Sequence, residues 1–238
     1  MSTSFAPRHS TPNEPTGDAS LGVSRIVLRP IGSPLPLGFV ALGAGSITLS
    51  GLQIGWLPTI DSHEAALVLL VFVAPLQILS SVFGFLARDS VGGTGMGMLA
   101  GSWSVIGTIM ITTSPGSTTR VLGLVLFFVS ASLLVPIVAA SLGKVLAAFV
   151  MFGAAVRFGL AGANEITGAL GWKQVSGWWG FGLALLALYA AFAFEIEDTR
   201  RHTVLPTGRH DAGLAAMNGT LQDNLNRVVH EAGVREQL

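Results

Sequence analysis

The sequence predicts an all-α, polytopic membrane protein of six transmembrane helices, and three observations lead there. Half of the 238 residues are apolar while only 11% are charged, under half of the share of about 25% in soluble domains. From Pro36 to Ile196 the charged side chains are Asp61, Glu64, Arg88, Asp89, Arg120, Lys144, Arg157, Glu165, Lys173 and Glu195, too few to clothe a surface in water. The intervals between them can cross a hydrocarbon layer, which takes roughly 20 helical residues at about 1.5 Å each.

In chain order the spans cover 36–58, 65–87, 92–113, 121–142, 145–164 and 175–197. The first contains Leu42-Gly-Ala-Gly-Ser-Ile-Thr-Leu-Ser-Gly51, too poor in bulk to face lipid all round, which places it inside a bundle or an oligomer. It is separated from the second by Pro58 to Glu64, the second from the third by Arg88-Asp89-Ser90, and the third from the fourth by Ser114-Pro115-Gly116-Ser117. The fourth and fifth touch at Gly143-Lys144, where the turn must be very tight; the alternative is five spans with one long kinked helix. Gly168 to Gln174 lead into the sixth. Gly51 and Gly55, then Gly93, Gly97 and Gly101, then Ala155 and Gly159 fit small-xxx-small packing between helices. Alternatively the hydroxyls of Ser46, Thr48, Ser50, Ser80, Ser81, Ser102, Ser104 and Thr108 line a narrow path for a small polar solute.

Residues 1–32, rich in Ser, Thr, Pro and Gly, cannot bury a core and read as a disordered tail. No apolar region precedes Ile26, so the tail is not a signal peptide. The transmembrane domain covers 33–208. Over 209–238, Leu214, Met217, Leu221, Leu225 and Val228 recur at helical spacing, with Asp223, Asn224, Arg227 and Glu231 elsewhere on the wheel, as in an amphipathic helix. Such a helix docks on the protein's own face, joins subunits as a short coil, or lies in the lipid interface. With the N-terminus inside, ten basic residues (Arg8, Arg25, Arg29, Arg88, Lys144, Arg200, Arg201, Arg209, Arg227, Arg235) face the cytoplasm against Arg120 and Lys173 outside. That bias places both termini in the cytoplasm and the protein in the plasma (inner) membrane.

Thirteen basic and thirteen acidic residues cancel, which argues against a nucleic-acid partner. The chain has no cysteine, and none of its five histidines stands inside a long apolar run, so no metal site or cofactor is expected. No nucleophile elbow, paired carboxylates, zinc-binding helix or phosphate loop occurs; Gly92-Gly93-Thr94-Gly95 lacks the lysine such a loop needs, and an enzyme is not expected. Three polar residues remain inside spans. Arg157 is costly there and is a functional candidate by default. Facing a watery path it attracts anions; paired with Glu165, eight residues on, it is neutralised. Asn164 and Gln77 read more readily as interhelical glue than as ligands.

Ser33-Pro34-Leu35-Pro36-Leu37-Gly38 stands at the entrance to the first span, and Thr203-Val204-Leu205-Pro206-Thr207-Gly208 follows the last. With six spans between them, these resemble the two signature stretches of the acetate uptake transporter family. Gly177-Trp178-Trp179-Gly180, Tyr189, Gly162 to Asn164 and Lys144-Val-Leu agree with that resemblance, which runs over about 33–210. It implies six helices per subunit, a ring of six subunits in the lipid bilayer, and a path in each subunit for acetate or another small monocarboxylate, with or without a coupled proton. The implied constriction falls near Leu42, near Ser102 or Trp103, and near Gly153. The family pattern there is Phe, Tyr and Leu, so the neck of this chain is wider unless Trp103 fills it. Arg157 lies one turn beyond Gly153, where the family pattern is apolar. Ser33 is expected to cap the first helix, Pro34 and Pro36 to hold extended backbone before it, and the 203–208 stretch to seal the bundle below the sixth span. Two other classes stay open: a non-transporting scaffold or accessory subunit, and a channel for a small neutral or cationic solute such as ammonia.

Overall fold

The computed structural model describes residues 32–211, 213 and 214. Six helices are long and apolar enough to cross a membrane: Leu35–Ile54, Thr59–Leu86, Ser90–Thr112, Arg120–Ser141, Val145–Thr167 and Leu170–Arg200. Among the described residues there is no strand. The reading of 1–31 as a tail and of nearly all of the amphipathic C-terminal helix lies outside the described residues. The single long helix weighed for 121–164 does not form, because the chain turns at Leu142 to Lys144 between the fourth and fifth spans. The sixth span starts at Leu170, earlier than expected. Gly168 takes a left-handed φ of 64° as the cap of the fifth helix, which shortens the connection to Gly168-Ala169.

Prolines set the irregularities. In the second span a π-helical stretch, Leu69–Val73, precedes Pro75, whose missing N–H breaks the regular ladder. The fourth is interrupted at Leu133, just before Pro136.

The entrance motif differs from its expected geometry. Ser33 does not cap the first helix. The cap position belongs to Pro34, whose φ of −80° and ψ of −10° are helical rather than extended, and Pro36 lies in the first turn, where its missing N–H costs nothing. The motif is tied down by the second span instead. Ser80 Oγ donates to the Pro34 carbonyl at 2.7 Å, and Gln77 Nε2 donates to the Gly38 carbonyl at 3.2 Å. A β-carbon on Gly38 would stand 2.7 Å from the Ser80 hydroxyl, so Gly38 lets the two helices meet.

The first span packs along the sixth, the second along the third and the fourth along the fifth. Backbones touch where side chains are absent. A β-carbon on Gly84 would lie 2.8 Å from the Gly93 nitrogen, and one on Gly123 would lie 3.0 Å from the Gly162 carbonyl. Gly97 meets Ser81, Gly159 meets Ser130, and Ser130 Oγ donates to the Ala155 carbonyl. Three glycines of the expected small-xxx-small set do something else. Gly51 meets Leu57 of the connection after its own helix, Gly55 is the left-handed cap of the first helix, and Gly101 has open space beside it. Spacing alone picks out one face of a helix, but a neighbour must be present on that face for smallness to matter.

Gly84→Ala forces the second and third spans apart against backbone atoms that cannot yield. A loss of about 1–3 kcal/mol is expected, read as a lower unfolding temperature in detergent, whereas Gly101→Ala does not lower it.

Candidate functional site

At the end of the bundle that carries the 55–58, 113–119 and 168–169 connections, a cavity of about 310 Å³ opens. Gln53, Asn164, Glu165 and Lys173 line it together with serines and threonines of the connections, and Leu49, Ile106 and Ala161 line it from the helices. Glu165 is engaged with the nearest connection: its Oε2 accepts the Thr119 N–H at 2.8 Å. The weighed Arg157–Glu165 pair therefore does not form.

Below this vestibule the first, third and fifth spans converge on Trp103. Its ring is fully buried, stands 3.1 Å from where a β-carbon on Gly45 would be, and packs against Phe158 with ring centroids 5.5 Å apart. Leu42, three residues from Gly45, is likewise fully buried in the core. Trp103 occupies the space that Gly45 leaves on the first helix. Among the described residues its indole N–H has no partner.

Gly153 does not join this neck. A β-carbon there would meet Leu183 of the sixth span at 2.9 Å, and its carbonyl accepts the Trp179 indole N–H at 2.8 Å. Rotation about the helix explains the displacement: Val150, Ala154 and Phe158, four residues apart, carry the fifth span's core face, and Gly153 lies off that row. Ser102 is buried, but its hydroxyl donates to the Met98 carbonyl of its own helix. Thr48, Ser104 and Thr108 do the same, and Ser80 and Ser81 bond carbonyls of neighbouring spans. Six of the eight hydroxyls expected to line a path are thus spent on backbone. Ser46 and Ser50 remain.

Those two serines meet Arg157. Its guanidinium is buried at the junction of the first, fifth and sixth spans. Nη1 donates to Ser50 Oγ at 3.2 Å and to the Ser176 carbonyl at 2.9 Å, and Nη2 donates to the Ser46 carbonyl at 3.3 Å. Room for it comes from Gly180, where a β-carbon would overlap both the guanidinium and the Ser50 hydroxyl. Among the described residues no carboxylate lies within ion-pair distance of Arg157. Ser176 and the steric role of Gly180 escape sequence reasoning. Gly180 stands out only as part of Gly177-Trp-Trp-Gly180, and nothing in that run says which side chain fills its gap.

The opposite end is closed by the 203–208 stretch, which turns back over the fourth-to-fifth connection rather than only sealing the sixth span. Its Thr207 and Gly208 carbonyls accept the Leu146 and Val145 N–H groups, satisfying donors that the first turn of the fifth helix leaves open. Gly208 holds a left-handed φ of 64°, and a β-carbon on it would strike Val145. Leu205 packs on the core and the Pro206 carbonyl accepts the Tyr189 hydroxyl. At the centre is Glu197, 1% exposed, which accepts from Thr203 at 3.0 Å and Thr207 at 2.9 Å and pairs with Arg209. Sequence reasoning missed Glu197, because a carboxylate at a helix end ordinarily faces water. Nearby, Asp89 caps the third helix through the Gly92 N–H at 3.1 Å and holds Lys144 Nζ at 2.5 Å.

Six apolar helices, with Arg157 the one buried cation among the described residues, define a multi-pass, all-α membrane protein. The fold is one already seen: a solved structure of the bacterial acetate channel SatP matches with a TM-score of 0.66 and 22% identity, over 74% of this chain and 98% of that one. No family model and no curated protein matches the chain.

Glu197→Ala leaves Arg209 without its carboxylate and frees two threonine hydroxyls. It should cost about 3–5 kcal/mol, and a loss no greater than that of Thr203→Ala would remove Glu197 from the centre of this end. His210 adds a pH dependence. Its Nδ1 faces the Asp211 carboxylate at 2.9 Å and its Nε2 faces the Ser141 carbonyl at 2.9 Å, and the Asp211 hydrogen bond foremost holds its pKa above 6.5. Only the imidazolium donates from both nitrogens. The contact therefore contributes fully below about pH 6.5 and fades as pH rises through the raised value. Unfolding of wild type and His210→Ala should differ more at pH 5.5 than at pH 8.5; equal differences would show that the contact is not linked to protonation.

Proposed function

We propose that the protein is a channel for acetate and other small monocarboxylates in the plasma membrane, assembled as a ring of six subunits with both termini in the cytoplasm. The observation that carries this reading is the shared fold, which extends over nearly the whole of the SatP chain. The vestibule supports it, since about 310 Å³ admits a solute of a few heavy atoms and water. In this reading the solute enters past Gln53 and Asn164 and meets the neck at Leu42, Trp103 and Ser102, where the indole restricts the size of the acid. Trp103 stands in for the bulky side chains that the first and fifth spans lack. Among the described residues the neck holds no carboxylate or histidine to relay a proton, which favours a channel over a proton-coupled symporter. A filled neck equally favours a second reading, a non-transporting membrane component in which Trp103 is simply core.

Purified protein in liposomes should admit labelled acetate faster than empty vesicles at pH 6, and equal rates would sink the channel in favour of the second reading. Trp103→Ala should raise acetate entry several-fold and extend it to longer acids such as butyrate. An unchanged rate and range would place the path elsewhere.

A further inference from the structure

Arg157 carries a charge that the bundle does not cancel. Its five N–H donors meet three acceptors, all neutral: the Ser46 and Ser176 carbonyls and the Ser50 hydroxyl. Two donors are left over, and among the described residues no carboxylate stands near enough to pair. Burial without a counter-charge is costly in a membrane interior, and such residues ordinarily face a partner or a solute. The hydroxyls of Ser46 and Ser176 are also fully buried and have no hydrogen-bond partner, although each belongs to a residue whose carbonyl holds the guanidinium. Two residues that hold the guanidinium through their carbonyls thus each carry a buried hydroxyl without a partner. Gly180 gives the guanidinium its place there, since a β-carbon would overlap it. The vestibule lies one turn away on two helices: Gln53 follows Ser50 by three residues and Ala161 follows Arg157 by four, a rise of roughly 4.5–6 Å.

We propose that Arg157, with the Ser46 and Ser176 hydroxyls, forms a binding site for a small carboxylate between the first, fifth and sixth spans, beside the Trp103 neck and not within it. A carboxylate is the chemistry that fits. Its two oxygens accept both spare guanidinium N–H groups and both hydroxyls, and its charge cancels that of Arg157 in charge-assisted hydrogen bonds. The site selects the ionised acid by charge, while the indole selects by size. The choice of carboxylate over other anions rests on the channel reading above; the presence of an anion site does not.

The test is thermal unfolding of the full-length protein in detergent at constant ionic strength, titrated with sodium formate, acetate, chloride or the bulky anion gluconate. A ligand that binds the folded state raises the transition by mass action. Formate and acetate should raise it in wild type, with gluconate inert. The apparent affinity should fall at least tenfold in Arg157→Gln and several-fold in the double variant Ser46→Ala/Ser176→Ala, which retains the arginine and its carbonyl partners. If Arg157→Gln does not fold, the serine double variant and Gly180→Ala decide, the latter by displacing the guanidinium. No anion-dependent shift in wild type, or shifts in the variants equal to wild type, would overturn the site. A chloride response as strong as that to acetate would overturn the carboxylate assignment. Shifts that depend on Arg157 without liposome flux would overturn the channel and leave the site standing, whereas flux without such shifts would remove the site alone.

Discussion

Inside hydrocarbon a polar group has to be satisfied by the chain itself, and Arg157 is where that demand is hardest to meet. Its guanidinium reaches carbonyls on the first and sixth spans from a position on the fifth, so the three helices are joined by hydrogen bonds rather than by a charge pair. Much follows from this junction. The sixth helix must present glycine at position 180, the first must present small residues at 46 and 50, and the fifth is held in a rotation that turns Gly153 outward onto the sixth span. The same rotation brings Phe158 against Trp103 and fills the space between the first, third and fifth helices.

The two ends of the bundle solve different problems. At the vestibule end one oxygen of Glu165 holds the Thr119 N–H at the end of the 113–119 connection, and a cavity remains beside it. At the other end the 203–208 stretch supplies backbone acceptors to the fifth helix and side-chain donors to Glu197, with Arg209 completing the set. A carboxylate that would be wasteful in water becomes structural here because Thr203, Thr207 and Arg209 of the segment that follows its helix all converge on it.

Much of this protein was legible in its residues. Sparse charges mark most helix ends, and six spans form in the expected order, the sixth taking in Lys173 and starting earlier than expected. The glycine approaches of the second and third spans, and of the fourth and fifth, agree with small-residue packing, and Gln77 acts as interhelical glue. Trp103, expected near the constriction, is fully buried against Gly45 and Phe158 between the first, third and fifth spans. The candidate site was legible only in outline. Leu42, Trp103, Arg157 and Asn164 all belong to the core or the vestibule, but Gly153 points elsewhere, and the hydroxyls of Ser102, Ser104 and Thr108 are spent on their own helices. A hydroxyl that bonds its own backbone and one that faces a solute look identical in one dimension.

Residue order settled composition, span count and the turns between spans, because these follow from local hydropathy, helix length and loop chemistry, which act within a few residues. It also singled out Arg157, since a charge with no helix end nearby is conspicuous in a list. Who satisfies that charge is a matter of three dimensions. Ser46, Ser50 and Ser176 lie 19 to 111 residues away from it, and only the rotation of three packed helices brings their oxygens to the guanidinium while keeping Glu165 at the vestibule. Glu197 shows the same division: its charge is plain in the sequence, but its burial depends on a segment that leaves the sixth span and folds back over the fifth.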